Sequence, residues 1–584
     1  MTDSPATADT GTNWGYTFMS SVKRRRSWVA GIAAVGALLV GAAPAVQATT
    51  QDQVSVGGRS ARAAEARRAT GWDFYESAET VVRDNIKLRR VRTELAGSPV
   101  TGKGATKSDF DGDGRDDLAV GTNDCESGIV VTYSSLPVRD HLNTQNVGDD
   151  YVSCSFGSTL AAGNFNGDRY DDLAIDDYYE ADWDNKGVES GGVWVLLGGP
   201  DGLRFDEPRH FNQSTYGIAG VANGHNWFGS ALAAGDITGD GYDELLIGTP
   251  FKTVSGKKEA GSVVVLKGTN EGLVTAYSQY ISQSTAGVPG KVGKCDNFGM
   301  SLDIGNINND KYQDVVIGAT GEEGCDPFSG SGSVTQFWGS KSGVSLKKVT
   351  SVTGRSTLPL TASKHVYLDR LGESVKIANT TGGGYGEVIT AAPFSQVGGE
   401  PVAGVVVSLA VRKSGISTKG MIVLSQADKA VAGSAESYDI FGYSIDTGDV
   451  TGDGIADVLV GVPGEKIGKN AEAGLVVLLR GSSKGLTGAK SQTLSQATAG
   501  VPDTPESGDE FGQTVAVLNL DGNTRLDAVV SAPDEAVGSE GTEFRSGSVT
   551  KLYGGSNGLL GKGVRITGPQ LALPNSGLGW QLVR

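Results

Sequence analysis

The chain has 584 residues, 87 of them glycine, and a formal net charge of −17. The charge is uneven: residues 1–108 hold 15 Lys+Arg against 9 Asp+Glu, leaving 35 against 58 for residues 109–584, a net of −23 there. A body this acidic repels phosphate backbones and argues against nucleic acid as a partner, whereas acid gathered in loops favours divalent cations.

From the N-terminus, Lys23-Arg24-Arg25-Arg26 precedes an apolar run from Trp28 to Ala43, then Pro44-Ala45-Val46-Gln47-Ala48. A charged region, an apolar core and a small-residue cleavage site read as a secretory signal over residues 1–48. The expected cut follows Ala48, with Ala45 as second choice, and Met19 is an alternative start. Arg25-Arg26-Ser27-Trp28-Val29 is a loose twin-arginine pattern that does not choose an export route. The apolar run is short for a spanning helix, so a secreted protein without a membrane span after cleavage is expected. Residues 49–104 are basic and carry no repeat; they read as a tether, helical at best over Ala61 to Arg68 and Ser77 to Leu95.

From residue 105 a unit recurs about every 70 residues: an Asp/Asn-rich loop followed at once by an apolar run. The seven loops begin at Asp109, Asn164, Asp236, Asn306, Asn379, Asp449 and Asn519. Ahead of most loops stands an aromatic-Gly pair, as in Phe156-Gly157, Phe228-Gly229, Phe298-Gly299, Phe441-Gly442 and Phe511-Gly512, with Leu371-Gly372 as a variant. Behind each loop come short Val/Ile/Leu-rich runs bounded by Gly, Pro, Asn and Asp, such as Asp117-Leu118-Ala119-Val120 and Gly261 to Leu266. These are strands. Four strands per unit and seven units predict an all-β, seven-bladed β-propeller over residues 105–584. The first loop has no Phe-Gly strand before it, while Leu578-Gly579-Trp580-Gln581-Leu582 fits that template, so the C-terminal strand is expected to close blade one.

Within each loop, numbered from its first Asp or Asn, oxygen side chains fall at positions 1, 3, 5 and 9, with a backbone carbonyl at 7. A hard ion such as Ca²⁺ wants six to eight oxygens at flexible geometry, and glycine permits the tight turn. Loop one offers Asp109, Asp111, Asp113 and Asp117 with the Arg115 carbonyl; loop three offers Asp236, Thr238, Asp240 and Glu244 with Tyr242; loop six offers Asp449, Thr451, Asp453 and Asp457 with Ile455. Three weaker copies carry two carboxylates each. They are Asn164, Asn166, Asp168 and Asp172 with Tyr170; Asn306, Asn308, Asp310 and Asp314 with Tyr312; and Asn519, Asp521, Asn523 and Asp527 with Arg525. Loop five keeps only Glu387 and is expected to take no ion. Loops one, three and six should therefore fill first, in the roughly 10⁻⁴–10⁻³ M range of extracellular modules. Position 12 is Val120, Ile247 and Val460 in those three loops, which rules out an EF-hand and its bidentate Glu.

Phe-Gly, the acidic loop and Asp-x-x-Val-Gly-x-Pro (Asp457 to Pro463) together resemble the FG-GAP repeat. That family forms the propeller heading integrin α-chains and also occurs in secreted bacterial proteins. The resemblance implies calcium in the inter-strand loops and ligand or partner binding by the propeller; an extracellular protein or glycan as ligand and a monomeric state are expected.

Four cysteines in an exported chain favour disulfides, and Cys125–Cys154 and Cys295–Cys325 are the expected pairs. Zinc has no CxxC or neighbouring His to support it. All four cysteines fall in loops opposite the cation loops, as does the acidic, aromatic segment Asp176 to Asp184. Tyr178, Tyr179 and Trp183 are therefore candidate ligand contacts, since loops on a rigid scaffold are the usual place for binding. No catalytic constellation is found. His141, His210, His225 and His365 lie outside the repeated motifs, and the Gly-x-Ser-x-Gly matches at Gly481 and Gly554 occupy hairpin turns. The alternative to a binding or adhesion module is an extracellular hydrolase, phospholipase-like or glycan-acting, with a carboxylate site on the propeller face.

Overall fold

The computed structural model describes residues 76–583 apart from 96–105, 123–127, 148–154, 179–180, 183–187, 223–225, 323, 326–329, 356–367, 538–544, 572 and 574–575. The expected signal, Ala61 to Arg68, the Cys125–Cys154 pair, Tyr179 and Trp183 lie outside the described residues.

Seven antiparallel sheets form the blades: six have four strands in meander order, and the first has the same four-strand blade with two further strands at its outer edge. Blade three shows the pattern: Ala231–Gly235, Glu244–Thr249, Ser262–Lys267 and Val274–Ile281. Its second and third strands, ELLIGT and SVVVLK, are almost wholly buried because sheets pack on both of their faces. The inner strand, ALAAG, is small and apolar, whereas the outer strand, VTAYSQYI, is more polar and more exposed because it meets solvent. This is the seven-bladed β-propeller expected from the repeat.

The Phe-Gly pairs explain how neighbouring blades dock. Phe228, Phe298 and Phe441 are fully buried between blades. Each meets a glycine that opens the preceding blade's third strand. A Cβ on Gly261, whose φ is +84°, would stand 2.2 Å from the Phe298 carbonyl oxygen. Only glycine fits an approach that close.

Closure follows the expected route. Gln581–Leu582 pairs antiparallel with Leu118–Gly121, so the chain's C-terminal strand becomes the inner strand of blade one. Leu578, Leu582 and Val583 are fully buried there.

One expectation is overturned. Residues 76–94 are not helical: Glu76–Arg83 and Ile86–Glu94 form a hairpin that extends the blade-one sheet to six strands. Asp84 and Asn85 turn it with φ of 49° and 64°, the left-handed pair a two-residue hairpin requires. Ile86, Leu88 and Arg90 alternate inward, a period of two hidden by interleaved Arg and Lys. Arg92 then makes a bidentate pair with the fully buried Asp140 at 2.6 and 2.7 Å.

Candidate metal centres

Loops two to seven each join the inner strand of a blade to its second strand, and loop one leads into the second strand of blade one, whose inner strand comes from the C-terminus; all seven lie on one face of the ring. Adjacent loops are bonded to one another. The position-eight N–H of each loop donates to the preceding blade's loop: Asp171 to the Asp109 carbonyl, Asp243 to Asn164, Gln313 to Asp236, Gly386 to Ile307, Ala456 to Asn379, Leu526 to Asp449 and Asp116 to Asn519, all at 2.6–3.0 Å. The circuit is closed. At three junctions a position-eight carboxylate adds a second bond, accepting the N–H of the neighbour's first residue: Asp171 from Asp109, Asp243 from Asn164 and Asp116 from Asn519. Sequence reading missed these three residues. The acidic doublets Asp116-Asp117, Asp171-Asp172 and Asp243-Glu244 were the available signal.

Position nine is a structural anchor as well as a candidate ligand. In loop one, Asp117 accepts from the N–H groups of Phe110 and Ser134; Asp172, Asp314 and Asp527 repeat this in their own blades. Burial pushes Asp172 up to about 8, Asp314 to about 7 and Asp527 to about 6.

Loop one brings its oxygens together best. Carboxylate oxygens of Asp109, Asp111 and Asp117 lie within 4.8 Å of one another, and all three residues are buried. The turn at Gly112 and Gly114 (φ 73° and 84°) aims two N–H groups at Asp109, from Asp113 at 2.9 Å and from Gly114 at 2.8 Å. Asp113 keeps a buried oxygen with no hydrogen-bond partner. Burial, then repulsion from Asp111, raises Asp113 to about 6 and pushes Asp117 far above the usual carboxylate range. Clustered, desolvated negative charge of this kind fits a hard cation. Lys551 of blade seven feels Asp117 and Asp527, while burial lowers its own pKa.

Loop three differs. The Lys267 ammonium stands 2.7 Å from Asp240 Oδ2, 3.2 Å from Thr238 Oγ1 and 3.3 Å from Glu244 Oε1. Three expected ligands thus already face a positive charge. Burial raises Glu244 to about 7 against the pull of Lys267, whereas in the more open Asp240 that pull prevails and the carboxyl lies below its ordinary value. In loop six Arg480 Nε lies 3.0 Å from Asp457 Oδ1.

The Asn-first loops satisfy themselves in another way. The first-position amide of Asn164 donates to the Asp168 carbonyl, and those of Asn306 and Asn379 donate to the carbonyls of Asp310 and Gly383. Asn166, Asn308 and Asn523 donate to the carboxylates of Asp168, Asp310 and Asp521. Donors therefore stand where a cation needs acceptors. In loop seven the Asn519 amide is buried with neither atom partnered.

On the opposite face, Cys295 and Cys325 are joined, with a Cα–Cα distance of 5.1 Å. Tyr178 packs on Trp227 at 5.1 Å between ring centroids, and Trp227 on Phe251 at 4.3 Å, so Tyr178 is partly committed to packing. Glu506, Asp509 and Glu535 also converge there, with carboxylate oxygens within 4.8 Å. Among the described residues no helix is long and apolar enough to cross a membrane.

The FG-GAP repeat pattern matches residues 228–266 and 441–479, each running from the Phe-Gly pair through the acidic loop into the third strand. Integrin alpha-8 of Homo sapiens is 28% identical over 256 residues, covering 41% of this chain and 22% of that protein. Integrin alpha-PS2 of Drosophila melanogaster is 31% identical over 228 residues, 38% of this chain and 14% of that protein. Integrin alpha pat-2 of Caenorhabditis elegans is 28% identical over 240 residues, 37% and 18% respectively. The matched part thus spans only 14–22% of the length of these relatives. Among solved structures, the Photorhabdus luminescens Tc holotoxin pore aligns with 79% of this chain and 16% of that chain, at 12% identity and a TM-score of 0.30.

Proposed function

We propose, from the premise that this chain is an FG-GAP β-propeller of the integrin α type, that it is a secreted binding or adhesion module stabilised by calcium. The observation that carries the cation reading is loop one, where three buried carboxylates converge within 4.8 Å. Asp109, Asp111, Asp113 and Asp117, with the Arg115 carbonyl, would hold the ion. Its charge would offset their mutual repulsion and so stiffen the start of blade one. Loops two, four and seven, with amide donors among their oxygens, take it more weakly or not at all.

The recognised partner would be an extracellular protein or glycan, taken by the face opposite the cation loops. The Cys295–Cys325 disulfide and Tyr178 would frame that face, and Tyr179 and Trp183, outside the described residues, are proposed to join them. Rigid blades presenting variable loops are the arrangement that binding modules use.

Two measurements test this. Thermal melts of the full chain with millimolar calcium and with EGTA should separate, the calcium form melting higher; coincident melts remove the cation reading. A protein and glycan array should retain the wild type and release a Tyr178→Ala/Trp183→Ala variant. Equal retention removes the ligand face.

A further inference from the structure

The blade register places one residue directly across from the position-nine carboxylate, at the end of the third strand. Leu245 pairs with Leu266, so Glu244 faces Lys267; Val458 pairs with Leu479, so Asp457 faces Arg480. The same register sets Tyr133 across from Asp117, Leu197 from Asp172, Trp338 from Asp314, Ala410 from Glu387 and Tyr553 from Asp527. Only loops three and six meet a cation at that place. They are also the two loops that, by carboxylate count, come next after loop one.

We propose that Lys267 and Arg480 are built-in counterions of loops three and six, so that these loops are balanced without a divalent ion and calcium uptake concentrates in loop one. The inference rests on the cation reading of loop one given above. The Lys267 ammonium has three donors, and three oxygens of Thr238, Asp240 and Glu244 surround it at 2.7–3.3 Å. A divalent ion coordinating the same oxygens at about 2.3–2.6 Å would lie against that ammonium and must first expel it. The tethered charge loses no translational freedom on pairing, so it competes at every calcium concentration. Arg480 holds fewer of the loop-six oxygens, with one contact to Asp457 Oδ1 at 3.0 Å, and gives the weaker barrier of the two. Lys267 is therefore a specificity-determining residue: removing it should create a calcium site, the reverse of what deletion near a metal site usually does.

The test is calcium titration by calorimetry on the full chain, comparing wild type, Lys267→Met, Asp240→Asn, Lys267→Met/Asp240→Asn and Asp113→Asn. Lys267→Met should add one site, or tighten one at least tenfold, and the added Asp240→Asn should abolish the gain. In EGTA, Lys267→Met should melt below wild type and recover with calcium, which a merely structural lysine would not do. Unchanged site number and affinity in Lys267→Met overturns the proposal, as does loss of a wild-type site on Asp240→Asn alone. Failure of the underlying reading looks different: wild type and Asp113→Asn would then titrate identically. Should Lys267→Met fold poorly, Lys267→Gln provides the same comparison.

Discussion

Loops one and three share a skeleton and meet different neighbours across the sheet. Both begin with an aspartate whose carboxylate accepts from the N–H groups of residues five and six, and both end in a buried acid that enters the second strand. Across from that acid stands Tyr133 in one case and Lys267 in the other. Tyr133 turns its hydroxyl away to Asp140 at 2.7 Å, so the third strand offers the loop-one acids no charge, and burial pushes Lys551 of blade seven, which feels Asp117, toward its neutral form. Lys267 balances its loop from within. Oxygen spacing therefore states where charge accumulates, and the adjoining strand decides whether that charge is already met.

The largest test of this contrast removes the frame both loops share. Deleting residues 577–584 strips blade one of its inner strand and exposes two sheet edges; the melting point should fall by on the order of 10 °C or more. The calcium-induced shift should vanish with it, because loop one borders the lost strand. A smaller loss, roughly 3–4 kcal/mol on the chain-entropy view, is expected for Cys295→Ser with Cys325→Ser in denaturant melts. That change lies on the opposite face and should leave the calcium shift intact. Next, Asp113→Asn should remove a calcium stabilisation of about 2.7 kcal/mol at a hundredfold excess of ion over Kd, whereas Asp240→Asn should lower the EGTA melt and spare the calcium shift.

The mildest test uses pH. Burial, aided by neighbouring acids, lifts Asp509 to about 6, Asp439 to about 7 and Glu510 and Glu535 to about 8, all away from the cation loops. Their native forms hold protons that the unfolded chain has released, so this contribution is largest below the unfolded carboxylate range and is lost as pH rises through about 8. Melting temperature in EGTA should decline from pH 5 to pH 8.5, and saturating calcium should leave that part of the slope in place.

Much of the fold was legible because the repeat states it directly. Phe-Gly, acidic loop and apolar run recur with enough regularity to count blades, and Leu578 to Leu582 matched the missing strand. The Cys295–Cys325 pairing was also readable from the short segment it encloses. The hairpin at 76–94 was not, because Arg89, Arg90 and Arg92 mask an alternation whose inward face is only Ile86, Leu88 and Arg90. The ranking of the cation loops drew on residues inside each loop alone. Lys267 lies 23 residues beyond Glu244 and meets it only through strand register, which no count of oxygens reveals. Tyr178 likewise read as a free anchor, yet its ring leans on Trp227 from the neighbouring blade.

Because Gln581–Leu582 completes a sheet begun by Leu118–Gly121, the ring cannot shut before those two residues have been made. Six blades must wait as an open arc, edges bare, until residue 582 clears the ribosome. Sequence changes that slow late synthesis would lengthen that exposure without touching a single contact of the finished molecule.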